Sequence, residues 1–106
     1  MNRNYKKDVY LIDLISKSYL HHKRVLQEVE NGVQEYDYMK VRASRRVVDH
    51  INNVVNDMPS REKIIIDNEV INNKKGSKWY MEYFSIPSYY RIRKDAYRMF
   101  LENIEK

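Results

Sequence analysis

The chain has 106 residues, enough for one domain and too few for two ordinary ones, with no cysteine, two glycines and two prolines. Without cysteine there is no disulfide framework, thiolate nucleophile or cysteine-ligated zinc, and so little glycine and proline cannot supply the closely spaced turns of a sheet or barrel; an all-helical fold is expected. The formal charge is +5, and seven cations against two anions between Lys74 and Arg98 carry all of it, because the other 13 cations and 13 anions cancel; an anionic partner is therefore expected to meet the C-terminal third.

After Met1 to Asn4, which read as a disordered tail, a first helix is expected over about Lys6 to Glu30. Ile12, Ile15, Tyr19, Leu26 and Val29 recur at three- and four-residue spacing, with His22 filling the gap, which places them on one helix face. Asn31-Gly32 tolerates the left-handed backbone that ends helices. A second helix is expected over about Gln34 to Asp57, with Val41, Ser44, Val48, Ile51, Val55 and Met58 at heptad spacing, widened by Val47 and Val54. Its β-branched pairs would fit a strand, but a helical period sustained for over about twenty residues favours helix. Two long amphipathic helices on a short link should pack antiparallel.

Met58-Pro59-Ser60 marks the next boundary, since proline disfavours helical geometry in the residue before it and Ser60 can cap a helix starting there. A third helix is expected from about Arg61 to Asn72 on Ile64, Ile65 and Ile71, then a polar loop Asn72-Asn73-Lys74-Lys75-Gly76. The longest apolar run, Ile64-Ile65-Ile66, falls far short of the roughly 20 residues that span a bilayer. No signal peptide, membrane anchor or internal repeat is read, and a cytoplasmic location is expected.

Ser77 to Ile104 reads as a short helix (Lys78 to Phe84), a tight turn (Ser85-Ile86-Pro87-Ser88) and a longer basic helix, that is, a helix-turn-helix. Ser85 can cap the last helix, and Pro87 in its first turn costs no internal hydrogen bond. Tyr89, Ile92, Ala96, Met99 or Phe100, and Asn103 fall on one side as the core face. The other side carries Tyr90, Arg91, Lys94 and Arg98, a strip that suits a DNA groove. Base reading is assigned to Pro87, Ser88, Tyr90 and Arg91, with Ser85 at the cap, and backbone holding to Lys74, Lys75, Lys78, Lys94 and Arg98.

The run Ser85-x-x-Ser88-Tyr89-Tyr90-Arg91-Ile92-Arg93-Lys94-x-Ala96 resembles the Ser-x-x-Thr-Tyr-Tyr-Arg-hydrophobic-Lys-Lys-x-Ala pattern of the ArpU/RinA-type late-gene regulators of phages. Their C-terminal part is similar to region four of bacterial sigma factors. Met58-Pro59-x-x-Glu62-Lys63-Ile64-Ile65 resembles the opening of that region, and Trp79 sits where a tryptophan often begins the scaffold helix. The likeness covers residues 58–104 and departs from the pattern at Ser88, where threonine is usual, and at Pro87. It implies a sigma region-four-like helix-turn-helix and a role in transcription regulation in a phage or mobile element, with double-stranded DNA as partner and RNA polymerase as a second candidate.

The expected organisation is a helical hairpin over 1–57, for self-association or partner binding, and a DNA-binding part over 58–106, in one compact domain. Monomer and homodimer both stay open. Two alternatives keep the fold: a sigma-like module that binds polymerase or another regulator as an inhibitor or decoy, and a small packaging adaptor that closes into a ring. The ten tyrosines could stack on single strands, yet most fall at helix-face positions such as Tyr19 and Tyr89, where core packing and half-buried surface explain them more simply. Trp79 reads as a core anchor. His21, His22 and His50 lack metal-ligand spacing, Glu35, Asp37 and Asp49 read as solvated helix charges, and no phosphate loop, nucleophile elbow or carboxylate pair is visible; no metal, cofactor or enzymatic activity is expected.

Overall fold

The structure, a computed structural model, describes residues 4–32 and 37–106, and every element among them is helical. Helix α1 (Tyr5–Glu30) begins where the Asn4 side chain accepts the Lys6 N–H at 2.9 Å. Asn4 is thus an N-cap, satisfying a backbone donor that a helix start leaves without a partner, and not part of a loose tail. The helix stops at Asn31-Gly32, where Gly32 takes a left-handed φ of 88°. Asp37 caps α2 (Tyr38–Asn56) by accepting the Lys40 N–H at 2.8 Å. The helix start expected at Gln34, with Glu35, lies outside the described residues.

The two long helices run antiparallel: Tyr19 donates to Asn52 at 2.9 Å, while His22, further along α1, meets Ser44, nearer the start of α2, at 2.8 Å. Of the heptad stripe, Ser44, Val48, Ile51, Val55 and Met58 are buried, while Val41, near the start of α2, is half-buried. On α1, Ile12 and Tyr19 are buried, and Ile15, His22, Leu26 and Val29 are half-buried. Asp8, Ser16 and Val25 are buried as well, and the two polar members break the apolar pattern that marks a face.

Helix α3 (Ser60–Ile66) continues into a π-helical turn (Asp67–Ile71), so the helical run ends close to its expected limit in a wider register. The Asn72 N–H reaches back five residues to the Asp67 carbonyl at 2.9 Å. The inward positions are Glu62, Ile65, Ile66, Glu69 and Val70, while Ile64 and Ile71 are only half-buried. The buried face is therefore rotated from the one its isoleucines mark, and it contains two glutamates. Ser16 lets α1 approach this turn closely; its hydroxyl lies 3.3 and 3.4 Å from the Glu69 and Val70 carbonyls and 3.0 Å from Asn73 Oδ1.

The chain leaves the turn through Asn73, at φ 52°, and reaches a 3-10 turn (Trp79–Glu82) in place of the short helix expected from Lys78 to Phe84. The Tyr80 ring is drawn flat onto Tyr89, with centroids 3.8 Å apart and planes 7° off parallel, which holds this turn against α4 in place of a continued helix. Helix α4 (Ile86–Ile104) has Pro87 in its first turn and buries Tyr89, Ile92, Ala96, Tyr97, Phe100 and Leu101 against α1, α2 and α3. Met99 is half-buried and Asn103 exposed, so the core face runs through Tyr97 and Leu101 instead. One core joins Ile12, Val48, Val55, Ile65, Val70 and Phe100. No helix among the described residues is long and apolar enough to cross a membrane.

Candidate nucleic-acid interface

With one side of α4 committed to the core, a helical period leaves Tyr90, Arg91, Lys94 and Arg98 on the other, and all four are exposed. Arg98 stands 3.5 Å from Asp95, an exposed pair of adjacent turns, and among the described residues no carboxylate forms a salt bridge with the other two cations. Lys74 and Lys78 are exposed in the loop that leads to α4. Lys75 is half-buried and lies 3.9 Å from Asp13 of α1, so part of its charge is already matched. Ser85 and Ser88 hold the helix start: Ser85 Oγ accepts the Ser88 N–H at 3.4 Å and donates to the Ser88 hydroxyl at 2.8 Å. Their hydroxyls are engaged with each other, while Pro87 is open to solvent.

Behind this surface lies a polar cluster that the apolar pattern did not reveal. Glu69 is 0% exposed, and its carboxyl accepts from Trp79 Nε1 at 3.1 Å and from the Tyr89 and Tyr97 hydroxyls. Each donor comes from a different turn of chain, so the carboxyl ties the π turn, the 3-10 turn and α4 together, and both of its oxygens accept at least one hydrogen bond. Burial, followed by the nearby Glu69 and its hydrogen bond, raises Tyr97 above the ordinary phenol value. Tyr89 is raised by burial and by its hydrogen bond to the same carboxyl.

Arg93 lies off the cationic strip and is half-buried. Its Nε donates to the Tyr5 hydroxyl at 2.6 Å, and its guanidinium lies 5.1–5.6 Å from the ring centres of Tyr5, Tyr89, Tyr90 and Tyr97. This is a cation held over aromatic faces, where attraction to the ring quadrupoles offsets lost hydration. The spacing carries a signal for it: Tyr89, Arg93 and Tyr97 sit four residues apart along one ridge of α4.

Trp79 is half-buried and packs edge-on to Tyr80 and Tyr89. Tyr19, Tyr89 and Tyr97 are core residues and Tyr5 and Tyr80 are half-buried, whereas Tyr10, Tyr38, Tyr83 and Tyr90 are exposed. His22 is engaged by Ser44, and His50 donates from Nε2 to the Ile104 carbonyl at 2.9 Å. Among the described residues no three His, Asp or Glu side chains come together as metal ligands. The cationic strip offers hydrogen-bond forks and point charges on a rigid helix, the chemistry of binding to a polyanion. Compared with known proteins, the chain matches no family model, no curated protein and no solved structure.

Proposed function

We propose that the chain is a sequence-specific, duplex DNA-binding transcription regulator of phage or mobile-element type, and that α4 is its recognition helix. The observation that carries this reading is the exposed strip Tyr90, Arg91, Lys94 and Arg98 on a helix whose opposite side is locked into the core. A helix about 10–12 Å across fits the major groove, where arginine forks onto guanine and lysine meets phosphate. In this reading the four-residue 3-10 turn stands in for the scaffold helix of a helix-turn-helix, and Lys74 and Lys78 reach the flanking backbone. The likeness of residues 58–104 to the ArpU/RinA-type regulators points the same way.

The test is a binding titration of the full chain against a duplex enriched from a random-sequence pool, repeated across salt concentrations. Released counterions make log affinity fall with log salt at about −0.9 per phosphate neutralised. Arg91→Ala is expected to weaken the preferred duplex by about 1–3 kcal/mol and relax base preference, while Lys94→Ala weakens all sequences alike. Failure to enrich any duplex would end this reading.

A second reading, a module that binds polymerase or a second copy through α1, is favoured by one observation. Tyr10 and Leu14 stand exposed one turn apart on the outer side of that helix. Light scattering of the chain alone, and pull-down of purified polymerase in the absence of DNA, separate a dimer, a ring and a polymerase binder.

A further inference from the structure

The outer surface of α4 is not uniformly cationic. Its first turn presents Ile86, 52% exposed, and Tyr90, 50% exposed, one helical turn apart, with Pro87 between them. Only after these come Arg91, Lys94 and Arg98. The first turn of α4 thus presents apolar surface where the rest of its outer side presents charge.

Tyr90 is fixed in place on its inner side. Its ring centre lies 5.1 Å from that of Tyr89 and 6.4 Å from that of Tyr80, and the Arg93 guanidinium sits 5.1 Å above it. Ile86 is β-branched and stiff about χ1. Tyr90 is therefore held before any ligand arrives and Ile86 is restricted about χ1, so less rotamer entropy remains to be lost on binding.

We infer that Ile86 and Tyr90 form an apolar ridge that reads thymine through its C5-methyl group in the major groove, an inference resting on the duplex-DNA reading above. Thymine is the base whose major-groove edge offers a hydrocarbon group; the other edges present donors and acceptors that an isoleucine would strip of water without replacing. The cations further along the same surface select a polyanion over an apolar protein groove, since Lys94 stands one turn beyond Tyr90 and Arg91 directly after it. Duplex RNA does not fit the ridge, because its major groove is too narrow for a helix and uracil lacks the methyl.

The experiment uses the full chain and a duplex enriched by it from a random pool, prepared with thymine and again with deoxyuridine at each thymine, a change that removes the methyl and keeps the pairing edge. The deoxyuridine form is expected to bind about fourfold more weakly for each contacted methyl, the ratio that corresponds to about 0.8 kcal/mol of lost burial. Ile86→Ala and Tyr90→Ala, exposed positions whose helix content is checked by circular dichroism, are expected to bind the thymine form more weakly and to lose sensitivity to the missing methyl. Equal binding of both forms by the wild-type chain overturns the ridge and leaves the DNA reading standing, and undiminished deoxyuridine sensitivity in both variants overturns it too. Absence of any enriched duplex overturns both.

Discussion

Tyr97, in the middle of α4, donates its hydroxyl to the buried carboxyl of Glu69 in the π turn, and this bond joins residues 28 apart in the chain. Through the same carboxyl, Tyr89 and Trp79 are held as well. The outward presentation of Arg91 and Lys94 thus depends on a group that never reaches the surface: α4 is rotationally set by what its inner side must hydrogen-bond.

Removing that acceptor should be costly. Glu69→Ala leaves two buried phenols and a half-buried indole N–H without this acceptor, beside a new void, and is expected to destabilise the fold by about 3 kcal/mol or more. Glu69→Gln keeps an acceptor oxygen but turns an NH2 group toward a donor, so a smaller loss of about 1–2 kcal/mol is expected. Urea unfolding monitored by circular dichroism gives both values. If Glu69→Ala unfolds at the same urea concentration as the wild type, the carboxyl is not what holds α4.

The cluster also sets a high-pH limit. Tyr89 and Tyr97 are raised above the ordinary phenol value of 10.0, so in the folded chain they keep protons that the unfolded chain releases. The unfolded state then binds fewer protons, so what these two phenols contribute to stability is constant below about pH 10 and falls above it, by up to about 1.4 kcal/mol per pH unit for each phenol. Unfolding curves at pH 8 to 11 should show this decline, with a shallower slope for Tyr97→Phe, which has one such group fewer.

Arg93 and Arg98 lie on one helix yet should respond oppositely to truncation. Arg93→Ala empties a box of four tyrosine rings and frees the Tyr5 hydroxyl, so a stability loss of roughly 1–2 kcal/mol is expected, with little change in the salt dependence of DNA binding. Lysine cannot reproduce the planar stack and should rescue only part of it. Arg98→Ala, at an exposed position, should leave the unfolding midpoint nearly unchanged and lower the salt slope by about one. A slope change for Arg93→Ala equal to that of Arg98→Ala would place Arg93 among the phosphate contacts.

Ser85 separates helix stability from polyanion binding. Ser85→Asp keeps an N-cap acceptor and adds a negative charge at the positive end of the α4 dipole, so stability should hold or rise by up to about 1 kcal/mol. The same charge faces phosphate if the start of α4 enters a groove, and duplex affinity should drop at least severalfold. A variant that gains stability without losing affinity would move the DNA away from this end of the helix.

Much of the architecture is set by local rules. The stripe from Ser44 to Met58, the stops at Asn31-Gly32 and Met58-Pro59, the Ser85 cap and the outward set Tyr90, Arg91, Lys94 and Arg98 are all consequences of spacing within about twenty residues, the range over which helical periodicity acts. The buried placement of charged groups depends instead on the tertiary structure. Glu69 lies on an inward face because donors arrive from 10, 20 and 28 residues away, and Arg93 is held half-buried because the hydroxyl of Tyr5, 88 residues distant, accepts its hydrogen bond. A carboxyl or guanidinium is excluded from an interior until partners are brought to it, and only the packing of distant segments supplies them.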